Sequence, residues 1–213
     1  MTLRDDLRSL KVFATDPQSF DTDATPADPL ALFESWLAAA IAANVSAPHA
    51  MVLATVTPDG APTARTLLLK DVTADGLWFA SLSSGPKGRD LRHDDRCALV
   101  LYWREQGRQI RVTGTATIGP RSSSERDFLA RHPKARVAAI AGEQSEPIVD
   151  ESTAMAAAEA RIAADENYVP DDWNAYVVAP DMMEFWQSGP DREQVRLRYV
   201  LRNENWSSAL IWP

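Results

Sequence analysis

The segment ARTLLLK, residues 64–70, places a cation near each end of an apolar stretch. In an extended strand successive side chains point to opposite faces, so Arg65 and Lys70 lie on different faces. One face therefore carries a guanidinium and the other an ammonium, an arrangement suited to two anions bound on different sides of the strand. A strand whose charged ends lie in solvent is the alternative interpretation, and spacing alone favours that alternative.

The segment SSGPKGR, residues 83–89, has the composition of a phosphate-binding loop. Its small residues leave backbone N–H groups accessible, Lys87 adds a positive charge, and a short helix is predicted to begin here. Helix N-termini and exposed backbone amides bind phosphate groups well. Because loops rich in Gly and Ser are common, a plain connection between two elements is an equally good interpretation.

Two further segments carry side-chain amides that could bind the edge of a heterocycle. Gln109 lies in a predicted strand within GRQIRVTG, residues 107–114, and Gln144 is followed by Ser145 in the loop EQSEP, residues 143–147. An amide side chain both donates and accepts hydrogen bonds, as a ring with nitrogen and oxygen at its edge requires. A glutamine that faces solvent is the commoner explanation of each.

The segment MEFWQSGPDREQVR, residues 183–196, combines a large aromatic surface with two cations. Trp186 lies at the end of a predicted strand, and Arg192 and Arg196 lie beyond a turn. An arginine fork can hold a phosphate or a carbonyl edge through two hydrogen bonds. The alternative is that Trp186 lies in the core and both arginines lie in water.

Other classes of function are disfavoured by the composition. The net charge is −8, which repels nucleic acid, and no GxSxG elbow is present for a nucleophilic serine. The single cysteine, Cys97, and three histidines without metal-type spacing predict no metal site. No apolar run reaches about 18 residues and no signal peptide is recognisable, so the protein is expected in the cytoplasm without membrane contact.

The elements that must position these residues are mainly strands. Residues 1–27 are polar and predict a loosely ordered arm, and a helix with Asp28 as N-cap follows to about Asn44, its apolar stripe ending at Ile41. Strands are predicted at 51–57, 63–70, 77–82, 97–104, 109–118, 174–179, 182–187, 194–202 and 206–212. DVTADG is predicted as a turn, and helices are predicted near 88–95, 122–131, 134–142 and 151–165. Short strands joined by tight turns predict one domain over 28–213, a mainly antiparallel sheet closed into a barrel with flanking helices.

Taken together in this order, RTLLLK, LWFAS, SSGPKG, RQIRVTG, EQS and EFWQSG resemble the pyridoxamine 5'-phosphate oxidase family. The likeness runs from about residue 30 to the C-terminus. It implies an antiparallel FMN-binding split β-barrel and a homodimer with FMN at the subunit interface. It also implies an oxidase that passes hydride from a small substrate to the flavin and electrons on to O2, with release of H2O2.

The resemblance also implies roles for particular residues. Arg65 and Lys87 would bind the FMN phosphate with help from Ser81, and the strand from Thr66 to Leu69 would line the flavin. The implied FMN contacts are Arg65, Thr66, Leu67, Leu68, Lys70, Ser81, Lys87, Gln109, Gln144, Ser145, Trp186 and Arg196. The implied substrate contacts are Lys70, Arg131, Arg192 and Gln194, of which Arg192 and Gln194 are the implied catalytic residues.

The substrate side departs from the family pattern more than the cofactor side does. Where the family usually has Arg-Leu-His, this chain has Arg-Glu-Gln, so that a histidine is replaced by Gln194. Asp127 and Ala135 occupy a region in which a tyrosine and a serine are expected around the substrate phosphate, and Pro86 replaces a frequent arginine.

Three interpretations of the function remain open after these departures. One is an oxidase of pyridoxamine or pyridoxine phosphate, and another is an oxidase of secondary metabolism that acts on a reduced aromatic compound, as in phenazine biosynthesis. The third is a flavin-binding protein without turnover.

Overall fold

The computed structural model describes residues 2–10, 19–189 and 194–213. The helices are α1 (Leu3–Ser9), α2 (Pro29–Ala42), α3 (Pro86–His93), α4 (Arg121–Leu129), α5 (Pro133–Ile140) and α6 (Glu151–Ala164). The strands are β1 (Ala50–Val56), β2 (Pro62–Leu68), β3 (Asp71–Thr73), β4 (Gly76–Leu82), β5 (Arg96–Trp103), β6 (Arg108–Ile118), β7 (Trp173–Ser188), β8 (Gln194–Arg202) and β9 (Asn205–Leu210). A 3₁₀ turn, Arg104–Gln106, joins β5 to β6.

The nine strands form one hydrogen-bonded sheet. Its main order is β2-β1-β5-β6-β7-β4-β3, and β8 pairs with β7 and with β9. The β3–β4, β4–β7, β7–β8 and β8–β9 pairs are antiparallel. The predicted fold class, a mainly antiparallel sheet with flanking helices, is therefore confirmed.

The long strand β7 differs from the prediction of two separate strands. Residues 173–178 pair with β4, and residues 182–188 pair with β8. Pro180 falls in the predicted gap and lies between these two ladders, neither of which requires its missing N–H. The strand therefore continues through the proline.

The predicted turn DVTADG contains the short strand β3. Asp71 pairs with Trp78 across a tight reversal that ends at Gly76, whose φ is +131°. A Cβ at Gly76 would lie 2.0 Å from the Val178 carbonyl oxygen, so only glycine fits there.

The chain divides into two compact units. The first comprises Met1–Val52, Ala98–Thr113 and Pro180–Pro213, and the second comprises Leu53–Cys97 and Gly114–Ala179. No helix within the described ranges is both long and apolar enough to cross a membrane.

The core of the first unit is aromatic. Trp36 of α2 makes edge contacts with Phe20 and Phe185 at 4.9 and 5.3 Å between ring centroids. The Tyr199 hydroxyl donates to the Pro26 carbonyl oxygen at 2.9 Å. The end of the segment predicted as a loose arm is therefore held by Phe20 and Pro26.

The helices α1 and α2 belong to the first unit. Asp28 caps α2 as predicted, because its carboxylate accepts from the Leu30 N–H at 2.9 Å. Ile41, predicted on the apolar stripe of α2, is instead exposed, so the buried stripe ends at Ala40. The helix α1 was not predicted; Thr2 and Asp5 cap it reciprocally.

In the second unit, Leu82, Phe128 and Trp173 form a core cluster that joins β4, α4 and β7. The rings of Phe128 and Trp173 meet edge to face at 5.3 Å. Phe79 and Tyr176 stack at 5.1 Å between neighbouring strands. These contacts fix α4 against the sheet beside the cavity described next.

Candidate functional site

The second unit contains a cavity of about 970 Å³, a volume typical of ligand sites. Parts of β2, β4, α3, α5 and α6 line it together with the loop from 141 to 150. Nine residues predicted at a site are among those that line it: Thr66, Leu67, Leu68, Lys70, Ser81, Lys87, Arg131, Gln144 and Ser145. The tertiary structure thus brings together residues that are up to 79 positions apart in the chain.

The burial of side chains along β2 follows the predicted alternation. Thr66 and Leu68 are exposed, whereas Arg65 and Leu67 are half-buried. Lys70 follows the strand, and its backbone N–H donates to the Trp78 carbonyl oxygen at 2.8 Å, which fixes the point where its side chain begins.

Ser81 and Ser145 reach the cavity from very different surroundings. Ser81 is buried near the end of a ladder, opposite Asn174 in the register of β4 and β7. Its hydroxyl donates to the Leu82 carbonyl oxygen at the long distance of 3.4 Å. Ser145 is exposed in the loop after α5, with a left-handed φ of 72°.

The N-terminus of α3 and the Lys87 side chain lie at one side of the cavity. Gly85 is the N-cap and Pro86 occupies the first turn. The Lys87 ammonium donates to Gln144 Oε1 at 2.6 Å. A Cβ at Gly85 would lie 2.4 Å from the same Oε1, so the amide oxygen lies close to the start of the helix.

Lys87 is a partly buried cation whose hydrogen-bond partner is a neutral amide. Burial lowers the pKa of its ammonium, and the positive charge of Arg65 lowers the pKa further. No carboxylate within the described residues forms an ion pair with it. A helix N-terminus beside a cation without an ion-pair partner is an arrangement that favours an anion.

Arg65 has other partners and is not among the described residues that line the cavity. Its guanidinium donates to the hydroxyls of Thr55 and Thr63, at 2.7 Å each. It also lies 3.5 Å from the carboxylate of Asp90, which is buried in α3. Arg65 therefore joins β2 to β1 and α3, and its predicted contact with an FMN phosphate stays a prediction.

A second group of charged side chains surrounds Trp173. Lys70 and Arg131 line the large cavity and a smaller one of about 340 Å³, and Asp127 lines the smaller one. Lys70 Nζ lies 3.4 Å from Asp127 Oδ1, and Trp173 Nε1 donates to Asp127 Oδ2 at 3.1 Å. The Arg131 guanidinium lies over the Trp173 ring, 4.6 Å from its centroid. Asp127 is therefore held from two sides and compensates part of the local positive charge.

The remaining predicted residues belong to the first unit. Gln109 is half-buried in β6. Trp186 Nε1 donates to Gln194 Oε1 at 2.8 Å, near the end of the β7–β8 ladder at which Ser188 pairs with Gln194. Arg192, predicted to contact substrate, lies outside the described residues.

Arg196 takes part in a buried cluster that sequence reasoning missed. Its guanidinium donates twice to Glu184 Oε1, at 3.0 and 2.7 Å, and Glu184 is only 2% exposed. Arg111 and Arg198 lie 3.7 and 3.5 Å from the other carboxylate oxygen. A lone carboxylate inside the apolar strand MEFW, opposite a strand with two arginines, was the signal that could have revealed this cluster.

Trp173 was the other important omission. It stands immediately before the strand predicted at 174–179, where no motif marks it. Its indole N–H and ring face hold Asp127 and Arg131, a role that depends on α4 packing beside β7 and that no local pattern indicates.

A mainly antiparallel sheet with flanking helices beside a ligand-sized cavity is the architecture of a split-barrel protein. The sequence profile described as pyridoxamine 5'-phosphate oxidase matches residues 37–164. The profile described as the pyridoxine 5'-phosphate oxidase C-terminal dimerisation region matches residues 173–213. The chain therefore belongs to the pyridoxamine 5'-phosphate oxidase family, and it is an oxidoreductase of this flavoprotein family.

Similar proteins cover nearly the whole chain. A pyridoxine/pyridoxamine 5'-phosphate oxidase from Nocardioides sp. is 38% identical over 196 residues, 91% of each chain. The protein of the same name from Actinobacillus succinogenes is 40% identical over 190 residues, 88% of this chain and 90% of its own. The crystal structure of PhzG from Burkholderia lata in complex with tetrahydrophenazine-1-carboxylic acid superposes with a TM-score of 0.84 at 31% identity, over 92% of this chain and 99% of that one.

Proposed function

We propose that this protein is an FMN-dependent oxidase of a small, planar, reduced substrate. The observation that carries the proposal is the cavity of the second unit, in which the uncompensated Lys87 and the start of α3 lie beside the exposed face of β2. A phosphate group and an apolar ring system on one ligand require this combination. Membership of the family supports the same conclusion.

The residues present fit FMN. Lys87 and the first turn of α3 would bind the phosphate, with Arg65 close enough to lower the pKa of Lys87 electrostatically. Thr66, Leu67 and Leu68 would contact the ring system, and Gln144 and Ser145 would offer hydrogen bonds. Gln109, Trp186 and Arg196 are proposed as further FMN contacts because of the family likeness. FMN, when bound, would accept two electrons from the substrate as hydride and pass them to O2, which gives H2O2.

The chain itself then has to bind, orient and shield. No protein nucleophile is needed, so the work falls to residues that place a substrate C–H bond against the ring. Lys70 and Arg131 would hold an anionic group of the substrate from the wall that the two cavities share. Arg192 and Gln194 are proposed to contact the reacting part of the substrate.

We also propose that the protein acts as a homodimer with FMN at the subunit interface. The support is the match of residues 173–213 to the C-terminal dimerisation region of the family. Some of the FMN contacts would then come from the partner subunit.

Two substrate classes are supported by different observations. The names of the curated relatives support oxidation of the CH–NH2 or CH–OH group of a vitamin B6 phosphate. The contact between Asp127 and Lys70 favours the second class, a reduced aromatic compound without a phosphate, because it lowers the positive charge available to a phosphate.

A visible spectrum of the purified protein, followed by an aerobic assay, tests the proposal. We expect flavin absorption bands, release of FMN on denaturation, and H2O2 formed during turnover of a reduced aromatic substrate or of pyridoxamine 5'-phosphate. Protein that binds FMN but is bleached anaerobically by neither substrate class would indicate a flavin-binding protein without turnover. Colourless protein that does not take up added FMN would overturn the proposed function.

A further inference from the structure

Arg108, the first residue of β6, is a buried cation in the first unit and is only 6% exposed. Its guanidinium lies over the ring of Trp36, 4.2 Å from the centroid, and its Nε donates to the Gln187 amide oxygen at 2.6 Å. The described residues supply no acceptor for its two terminal nitrogens and no carboxylate at ion-pair distance. Burial lowers the pKa of this guanidinium. A buried cation ordinarily has a negative charge beside it, which neither a ring face nor a neutral amide provides.

The carboxylates nearest to Arg108 in the chain and on the neighbouring strand have other partners. Glu105, on the 3₁₀ turn before β6, accepts from the Ser46 N–H at 3.3 Å. Of the acids on β7, Asp181 accepts from a threonine of β6, and Glu184 accepts from an arginine of β8. These carboxylates therefore do not compensate the charge of Arg108.

Two other buried side chains beside Arg108 lack a hydrogen-bond partner among the residues that the structure describes. Gln106 is 6% exposed, and neither its amide nitrogen nor its amide oxygen has a partner. Ser188 is fully buried, and its hydroxyl has no partner either. A Cβ at Gly107 would lie 2.0 Å from this hydroxyl oxygen, which therefore lies against the backbone between Gln106 and Arg108. Buried polar groups are ordinarily satisfied, so several unsatisfied groups in one place indicate a bound group.

Hydrogen bonds to the backbone hold these side chains together. The Ser188 N–H donates to the Gly107 carbonyl oxygen at 2.9 Å. The Gln187 amide nitrogen donates to the carbonyl oxygens of Gln106 and Ser188 at 3.0 and 3.1 Å. In the β7–β8 ladder, Ser188 pairs with Gln194. A group bound here would thus join the start of β6 to the end of β7, opposite the start of β8.

We propose that Arg108, Gln106 and Ser188 form a binding site for a small monovalent anion such as chloride. The guanidinium supplies the charge, while its terminal N–H groups, the Gln106 amide nitrogen and the Ser188 hydroxyl supply the donors. One uncompensated charge matches a monoanion, whereas a phosphate group brings about −1.5 to −2 charges at pH 7. A water molecule bound beside the anion would donate to the Gln106 amide oxygen. The proposal does not depend on the proposed function, because it concerns the stability of the first unit and involves neither flavin nor substrate.

Thermal unfolding of the full-length protein in two sodium salts tests the proposal. Sodium gluconate at the same ionic strength is the reference for sodium chloride, because its anion is too large for a buried site. If the dissociation constant is about 10 mM, about 300 mM chloride should raise the unfolding midpoint of the wild-type protein by about 5 °C relative to gluconate. Equal midpoints in the two salts would overturn the proposal.

The variant Arg108→Met removes the charge and keeps an unbranched apolar side chain against Trp36. Its unfolding midpoint should be the same in chloride and in gluconate. Arg104→Met is the matched control, because it removes an exposed arginine of the preceding 3₁₀ turn, and it should keep the wild-type shift. Chloride bound elsewhere, for example at Lys87, would shift Arg108→Met as much as the wild-type protein, and that result would refute the proposed site.

Two further measurements decide the question even if Arg108→Met does not fold. Ser188→Ala loses one donor and should show less than about half of the wild-type chloride shift. Crystals of the wild-type protein grown with sodium bromide should show anomalous density for bromide beside the terminal nitrogens of Arg108. An unchanged shift in Ser188→Ala, or the absence of that density, would count against the site. Bromide density without any chloride-dependent shift would indicate an adventitious ion only and would likewise reject the proposal.

Discussion

Lys87 Nζ lies 2.6 Å from Gln144 Oε1, although the two residues are 57 positions apart in the chain. The neutral amide oxygen gives the ammonium an acceptor but no opposite charge. Burial and the charge of Arg65 both lower the pKa of Lys87. An anion bound here would therefore gain more binding free energy than an anion beside an ordinary surface lysine.

Replacing Lys87 by alanine should weaken FMN binding without unfolding the protein. A doubly charged phosphate would lose its nearest cation, and we expect the dissociation constant to rise about tenfold or more. The free energy of unfolding of the FMN-free protein should change by less than about 0.5 kcal/mol, because no carboxylate among the described residues depends on this lysine. Fluorescence titration of FMN and urea unfolding measure the two quantities.

Lys134→Ala is the matched control for that variant. Lys134 is an exposed lysine of α5 that is not among the cavity-lining residues, so its loss changes the net charge equally. If both variants bind FMN equally well, the phosphate does not lie at Lys87.

The affinity for FMN should fall with rising pH earlier than an ordinary lysine would allow. The lowered pKa of Lys87 means that its ammonium loses its proton at a lower pH than usual, while the phosphate stays doubly charged above about pH 7. Binding in this range should take up a proton, because the bound phosphate raises the pKa again. The stability of the FMN-free protein should change with pH in the opposite direction. Below the lowered pKa of Lys87 the charged lysine reduces the free energy of unfolding, and this reduction becomes smaller as the pH rises through that pKa.

Lys87→Arg separates this lysine from other titrating groups. Arginine keeps its charge throughout the alkaline range, so the decline attributable to residue 87 should be absent from its affinity profile. Identical profiles for the wild-type protein and Lys87→Arg would show that another group causes the decline.

Arg65→Ala should lower stability even without FMN. The substitution leaves the Asp90 carboxylate, 4% exposed, with the hydroxyls of Thr55 and Thr63 as hydrogen-bond donors and no opposite charge. We expect a loss of about 2 kcal/mol in the free energy of unfolding, less than for a fully buried ion pair because Arg65 is partly exposed. Urea unfolding checks this value.

The double variant Arg65→Ala, Asp90→Asn provides the control for Arg65→Ala. In the Arg65→Ala background, Asp90→Asn removes the unpaired charge, so stability should partly return. If the double variant is less stable than Arg65→Ala alone, then Arg65 does not stabilise the protein through its ion pair with Asp90.

Gln194→His should raise any turnover of pyridoxamine 5'-phosphate. Gln194 accepts a hydrogen bond from Trp186, so this position lies beside an aromatic side chain proposed to contact FMN. A histidine can donate or gain a proton where the amide cannot, and we expect kcat to rise about tenfold with little change in KM. Gln194→Asn, which keeps a neutral amide, should not reproduce the increase. An unchanged kcat in Gln194→His would show that residue 194 does not act on this substrate.

Much of the local structure could be predicted from the sequence. The cap at Asp28, the alternation along β2 and the start of a short helix after Gly85 follow from residue type and spacing within a few positions. The predicted gap between residues 179 and 182 was wrong because the strand pairs first with β4 and then with β8, and pairing between distant segments is a tertiary property.

The sequence by itself determined the family, the antiparallel fold class and nine of the residues that line the cavity, because these depend on short patterns kept in a fixed order. Only the tertiary structure decided which charges compensate which. It paired Arg65 with Asp90, Lys70 with Asp127 and Arg196 with Glu184, and it left Lys87 with an amide. Electrostatic energy depends on distances between side chains from different elements, and local sequence patterns do not fix those distances.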